Sequence, residues 1–229
     1  MRPVDRGPVP NDDKGNPRTF AQYEQAKWHL RDRLGQFCSY CERQIATHLA
    51  VEHIEARATG GAIVDWDNFL LACVNCNSTK GTKPVAGLYF PHTHNTAHAF
   101  VYGPGAVIAA NPSLPGTEQS LAMETLQLFG LDNLVPSKPS DPADTRYENY
   151  VETWERAERS LERLRRKPSG DLRAQIAETA CSSGAFSIYM AVFADDPGTR
   201  QELLHHFGRY HTRSQCFDAD ANCIPDLFR

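Results

Sequence analysis

The sequence predicts an α+β protein in which a cysteine-bearing module, residues 1–90, precedes a mostly helical region, residues 91–229. Two observations support this division. Short strand-like apolar stretches alternate with two cysteine pairs in the first part, whereas apolar residues in the second part recur mainly at helical spacing. The chain has 229 residues, which is the length of one or two domains.

The composition is that of an ordinary globular chain, with 41% hydrophobic and 23% charged residues. Its longest nearly apolar run, residues 185–194, is far shorter than the roughly 18 residues that a membrane span requires. The first 18 residues lack the apolar segment of a signal peptide. We therefore expect a cytoplasmic protein that does not contact a membrane.

The first module is expected to contain an arm, a helix and two strand-like stretches. Residues 1–18 are rich in proline, aspartate and glycine, which is typical of an extended arm. Thr19–Leu34 has helical apolar spacing, and Gly35 is placed to end that helix. The strand-like stretches end at Ile54 and span residues 66–72.

The second region is expected to begin with a hairpin and continue as helices. Residues 97–102 and 106–110 flank a Gly-Pro-Gly turn, which favours a hairpin. Proline-rich Pro136–Ala143 predicts a linker. Periodic apolar residues predict helices at Gly116–Phe129, Arg146–Lys167, Asp171–Cys181, Phe186–Phe193 and Thr199–Tyr210.

Four of the seven cysteines form two pairs in which two residues separate the members: Cys38 with Cys41, and Cys73 with Cys76. Such spacing lets one tight turn direct two thiolates at one ion, and four thiolates suit a structural, tetrahedral zinc ion. The pairs are 31 residues apart, more than the usual 15–20, so the insert holds more than a simple finger. Disulfides are the weaker alternative in a cytoplasmic chain.

Polar residues between and after the cysteine pairs form an ordered set. The chain reads Glu52–Ile54 at a strand end, Asn68 before an apolar run, and Cys76-Asn77 followed by Lys80. In this order and spacing, residues 38–81 resemble the zinc-bearing HNH endonucleases. The resemblance implies a zinc-stabilised ββα-metal core, which is treble-clef-like, ahead of the helical C-terminal region.

The resemblance also implies roles for four residues. His53 would be the general base that deprotonates the attacking water, and Asn68 would fix the loop that orients His53. Glu52 and Asn77 would hold one catalytic divalent cation, Mg²⁺ or Mn²⁺. In the family the residue before the histidine is more often Asp, and the last signature residue is often His. The implied activity is hydrolysis of phosphodiester bonds in DNA, with RNA as the other possible substrate.

Simpler interpretations compete with these roles. His53 has a structural alternative at a strand end, and Asn77 has one as a helix N-cap. Lys80 is either a solvated lysine or a phosphate contact. The competing function is a non-catalytic zinc module that binds nucleic acid or a protein, although such a module has no need of Glu52, His53, Asn68 and Asn77 together.

The net charge of −4 is unevenly distributed. Residues 1–87 contain 11 basic and 10 acidic residues, a net charge of +1, and residues 88–229 contain 13 and 18, a net charge of −5. We therefore expect weak intrinsic affinity for DNA and a protein partner that docks on the C-terminal half. With its cysteine arrangement and helical C-terminal region, the chain resembles HNH effector nucleases of bacterial anti-phage defence systems. We therefore expect a role in such a system.

Overall fold

The computed structural model describes residues 1–134 and 144–225, so the predicted linker Pro136–Ala143 lies outside the described residues. The first part contains α1 (Ala26–Leu34), β1 (Ala50–His53), β2 (Phe69–Ala72) and α2 (Val74–Lys80). There follow α3 (Thr96–Ala99), β3 (Phe100–Gly103), β4 (Val107–Ala110), α4 (Gly116–Phe129), α5 (Arg146–Arg166), α6 (Gly170–Ser183), α7 (Phe186–Val192) and α8 (Pro197–Gly208). The predicted α+β class is confirmed.

Strands β1 and β2 pair antiparallel, and α2 follows them almost directly. The register places His53 opposite Phe69 and Ala50 opposite Ala72. Strand β2 is buried along its whole length. Helix α2 begins after Cys73, whose Sγ accepts the backbone N–H of Cys76 and so caps the helix. This order of two strands and a helix is the ββα arrangement that the family resemblance implied.

Helix α1 begins at Ala26, later than the predicted Thr19. A 3₁₀ turn at Tyr23–Gln25 precedes it. The residues before that turn follow another path because Phe20 is buried and stacks on Trp66, with 6.1 Å between ring centroids. The predicted end is confirmed, since Gly35 adopts a left-handed φ of 76° directly after Leu34.

The elements beyond residue 90 differ from the predictions mainly at their ends. The hairpin of β3 and β4 starts at Phe100, because residues 96–99 form the short helix α3. Helix α4 has the predicted bounds, and α5 ends one residue early, at Arg166. Among the described residues, no helix combines the length and the apolar character needed to cross a membrane.

One hydrophobic cluster extends across residue 90. Tyr40 stacks on Phe129 of α4 with 3.7 Å between ring centroids, and Phe90 lies edge-on against both rings. A second cluster joins α6, α7 and α8. The cysteine-bearing module is therefore packed against the region that follows it, while the division into two domains stays a prediction.

Candidate metal centre and active site

The four paired cysteines meet at one point beside β2 and α2. Their sulfur atoms all lie within 4.8 Å of one another, and Cys41 Sγ lies 3.7 Å from Cys73 Sγ. Four sulfurs at about 2.3 Å from a tetrahedral zinc ion would be about 3.8 Å apart. None of the cysteines is in a disulfide. The donor set therefore fits the predicted structural zinc ion.

Two arginines complement the charge of this cysteine cluster. Arg43 Nη2 lies 3.9 Å from Cys73 Sγ, and Arg146 Nη1 lies 3.6 Å from Cys76 Sγ. Burial opposes the charge of Arg146, but Asp144 and Cys76 outweigh it and raise the pKa of the guanidinium. Since four thiolates around zinc carry a net charge of −2, both arginines stabilise the metal-bound state. No sequence pattern pointed to Arg146, because it lies on α5, far along the chain from the cysteines.

His53 lies at the end of β1, and its ring makes three contacts. Its Nε2 is 2.9 Å from the carbonyl oxygen of Ile63. The ring meets Phe69 edge-on at 5.2 Å and Tyr23 at 4.8 Å between centroids. A carbonyl oxygen only accepts, so Nε2 carries the hydrogen and Nδ1 of the neutral ring carries the lone pair. In this tautomer Nδ1 can accept a proton, although the catalytic role of His53 stays a prediction.

Asn68 holds the two ends of the loop that carries Ile63. Its Oδ1 accepts the backbone N–H of Glu55 at 2.8 Å. Its Nδ2 donates to the carbonyl oxygens of Glu55, at 3.0 Å, and Ala62, at 2.9 Å. The side chain thus fixes the backbone beside the carbonyl group that contacts His53. Its influence on catalysis, like that of His53, stays a prediction.

Glu52 lies in the core, at odds with its predicted place on a catalytic cation. Its side chain is buried, and Oε1 lies 2.7 Å from Lys80 Nζ. Tyr40 donates its hydroxyl to Oε2 at 2.5 Å. Adjacent residues of a strand face opposite sides, so Glu52 faces inward where His53 faces the loop. Oε1 is paired with an ammonium group and Oε2 accepts a hydroxyl, so Glu52 does not fit as a cation ligand in this conformation, whereas the ligand role of Asn77 stays a prediction.

Lys80 is neither a solvated lysine nor placed to contact a phosphate, the two alternatives from the sequence. It is buried, and its ammonium group also donates to the His53 carbonyl oxygen at 2.9 Å. Asn77 lies one turn earlier on α2 and is half-buried, and it is not the N-cap, which is Cys73. Among the described residues, the four cysteines are the only cluster of three or more acidic, histidine or cysteine side chains able to share an ion.

One comparison with known proteins gives a match, and that match agrees with this geometry. A comparison of the chain with curated proteins finds no match. A family model does match, over a segment that begins at the first paired cysteine and contains all eight predicted site residues. Residues 38–83 match the family described as HNH endonuclease; this segment, called the HNH segment below, is similar to that family and lies within a larger α+β fold.

Proposed function

We propose that this protein is a metal-dependent endonuclease that hydrolyses phosphodiester bonds in DNA, with His53 as the general base. The observation that carries the proposal is the Nε2 contact of His53 with the Ile63 carbonyl oxygen, at 2.9 Å, within a segment that matches HNH endonucleases. This contact leaves Nδ1 as the proton acceptor.

The proposed reaction begins with transfer of a proton from water to Nδ1 of His53. The water oxygen then bonds to phosphorus, and the bond from phosphorus to the leaving oxygen breaks. The leaving oxygen takes its proton from solvent. A positioned general base contributes about 10²–10⁴-fold to the rate. Asn68 supports this step indirectly, because it fixes the loop whose carbonyl group holds the His53 ring.

A divalent cation, Mg²⁺ or Mn²⁺, is implied by the family resemblance. When bound, such an ion stabilises negative charge on the reacting phosphate. The half-buried Asn77 offers an amide oxygen, a suitable donor for a hard cation. Glu52 does not fit as the second ligand, because Lys80 and Tyr40 occupy its oxygens. Among the four predicted catalytic residues, the proposed proton transfer therefore depends on His53 and Asn68.

The wider role is part of the same proposal. A DNA substrate is supported by the family match, and a place in bacterial anti-phage defence by the arrangement of an HNH segment ahead of a helical region. The excess of acidic residues after residue 87 is the feature that favours a protein partner on the C-terminal half.

Incubation with supercoiled plasmid tests the proposal. We expect the parent protein to nick or cut the plasmid only with added Mg²⁺ or Mn²⁺, and His53→Ala to lose at least about 10²-fold in rate. The control is His205→Ala, which removes an exposed histidine on α8. A single-stranded RNA substrate tests the alternative. Absence of cutting with every metal would favour the non-catalytic binding module instead.

A further inference from the structure

Tyr23 contacts the candidate base from outside the segment that matches the family. It lies in the 3₁₀ turn before α1, and its ring centroid is 4.8 Å from that of His53, at 64° between the ring planes. Because Phe69 also meets the imidazole, edge-on at 5.2 Å, the ring of His53 contacts two aromatic side chains. Tyr23 therefore restricts the orientation of the imidazole.

Arg57 lies on the same tyrosine. Its guanidinium carbon is 5.2 Å from the Tyr23 ring centroid, a distance typical of a cation–π contact. Since both distances are measured from the Tyr23 ring centroid, the guanidinium carbon of Arg57 lies within about 10 Å of the His53 ring centroid. Arg57 is exposed, and among the described residues no carboxylate lies within ion-pair distance of it.

A cationic side chain near His53 is suited to bind a substrate phosphate. Lys80, which donates to the His53 carbonyl oxygen, is buried against Glu52 and does not face solvent. A guanidinium group stacked on an aromatic ring keeps its N–H groups in the plane of the group, where they can donate to two phosphate oxygens. Arg57 is therefore able to hold a phosphate group close to the proposed base.

We propose that Arg57 binds a backbone phosphate of the nucleic acid beside the scissile bond, and that Tyr23 is a positioning residue that aligns Arg57 with His53. This inference rests on the proposed function, since the phosphate belongs to the substrate of that reaction. It adds two residues to the site, one of which, Tyr23, lies outside residues 38–83.

Binding of a labelled DNA duplex, followed by fluorescence anisotropy without added Mg²⁺ or Mn²⁺, tests Arg57 without cleavage and leaves the contact between Tyr23 and His53 intact. We expect Arg57→Gln to weaken binding about tenfold. The slope of log affinity against log salt concentration should also become shallower by about 1, which corresponds to one lost phosphate contact. The control, Arg166→Gln, removes an exposed arginine at the end of α5 and should leave binding unchanged. Unchanged binding in Arg57→Gln, or an equal loss in the control, would overturn the proposal.

The role of Tyr23 is tested by replacing its ring. Tyr23→Phe keeps the ring and should bind as the parent does, whereas Tyr23→Leu should lose as much affinity as Arg57→Gln. The combined variant Tyr23→Leu/Arg57→Gln should lose no more than either change alone, because the two residues act together. Fully additive losses would overturn the positioning role. If the parent fails to cut DNA but these differences hold, the nuclease proposal fails and the phosphate site stands.

Discussion

At Glu52 and His53, two neighbouring side chains of one strand lie in different surroundings. Glu52 is 1% exposed and forms a buried ion pair with Lys80. Lys80 in turn donates to the His53 carbonyl oxygen at 2.9 Å. The pair therefore joins α2 to the end of β1 and fixes the backbone of the candidate base. In this conformation, Glu52 helps to position the backbone of His53 through its ion pair with Lys80.

Removing one partner of this pair is expected to be costly for stability. Lys80→Met leaves a buried, unpaired carboxylate and should lower the free energy of unfolding by about 3–5 kcal/mol. Glu52→Leu combined with Lys80→Met should recover most of that loss, because an apolar pair of similar size needs no compensating charge. Denaturant unfolding measures both variants.

An exposed ion pair serves as the control for that measurement. Arg159 Nη1 lies 3.5 Å from Glu155 Oε2 on the surface of α5. Arg159→Met should therefore change the free energy of unfolding by less than about 1 kcal/mol. A combined Glu52 and Lys80 variant as unstable as Lys80→Met would contradict the account of the buried pair.

At the scale of elements, the four cysteines join the turn at residues 38–41 to the junction of β2 and α2. These elements are short, since β1 and β2 have four residues each. Strands and helices of this length have little stability by themselves, so zinc is expected to contribute much of the local stability. Arg146 extends the same centre to α5.

Zinc content tests this account. The purified protein should contain one zinc ion per chain, and Cys76→Ser should lower both the zinc content and the Tm. Cys223→Ser, which changes a cysteine outside the cluster, should keep both near the parent values. Equal zinc content in the two variants, measured by elemental analysis, would refute the four-cysteine centre.

Local patterns predicted the elements well, and distant contacts account for what they missed. Helix α4 and the end of α1 follow from periodicity and from glycines that stop helices. The late start of α1 depends on Phe20 packing against Trp66, far along the chain. The burial of Lys80 likewise depends on Glu52, a residue on another element. No sequence spacing identifies such partners.

At the scale of the molecule, the HNH segment and the residues after it share one core. Phe129 of α4 stacks on Tyr40, whose hydroxyl bonds to Glu52. His92 lies in this shared region, and its backbone carbonyl accepts a hydrogen bond from Arg213. Burial, followed by the charges of Arg6 and Arg213, lowers the pKa of His92 to about 3.

This lowered pKa predicts a pH-dependent stability. An unfolded histidine has a pKa of about 6.5. Below that pH the unfolded chain gains a proton that the folded chain takes up only near pH 3. The contribution of His92 is therefore fully present above about pH 6.5 and falls by up to about 1.4 kcal/mol per pH unit as the pH decreases.

Comparing variants isolates this effect. His92→Gln should have a shallower fall in the free energy of unfolding between pH 6.5 and pH 5 than the parent, by about one proton. His205→Ala, an exposed control, should follow the parent curve. If the free energies of unfolding of His92→Gln and the parent fall in parallel with decreasing pH, His92 does not contribute to the pH dependence of stability.

The central claim is that the imidazole of His53 takes a proton from the attacking water. Its most direct test is the rate of plasmid cleavage by His53→Gly, measured with and without added imidazole. We predict that the variant is at least about 10²-fold slower than the parent and that imidazole restores part of the rate, because it supplies the missing base. Cleavage at the parent rate without imidazole would contradict the claim.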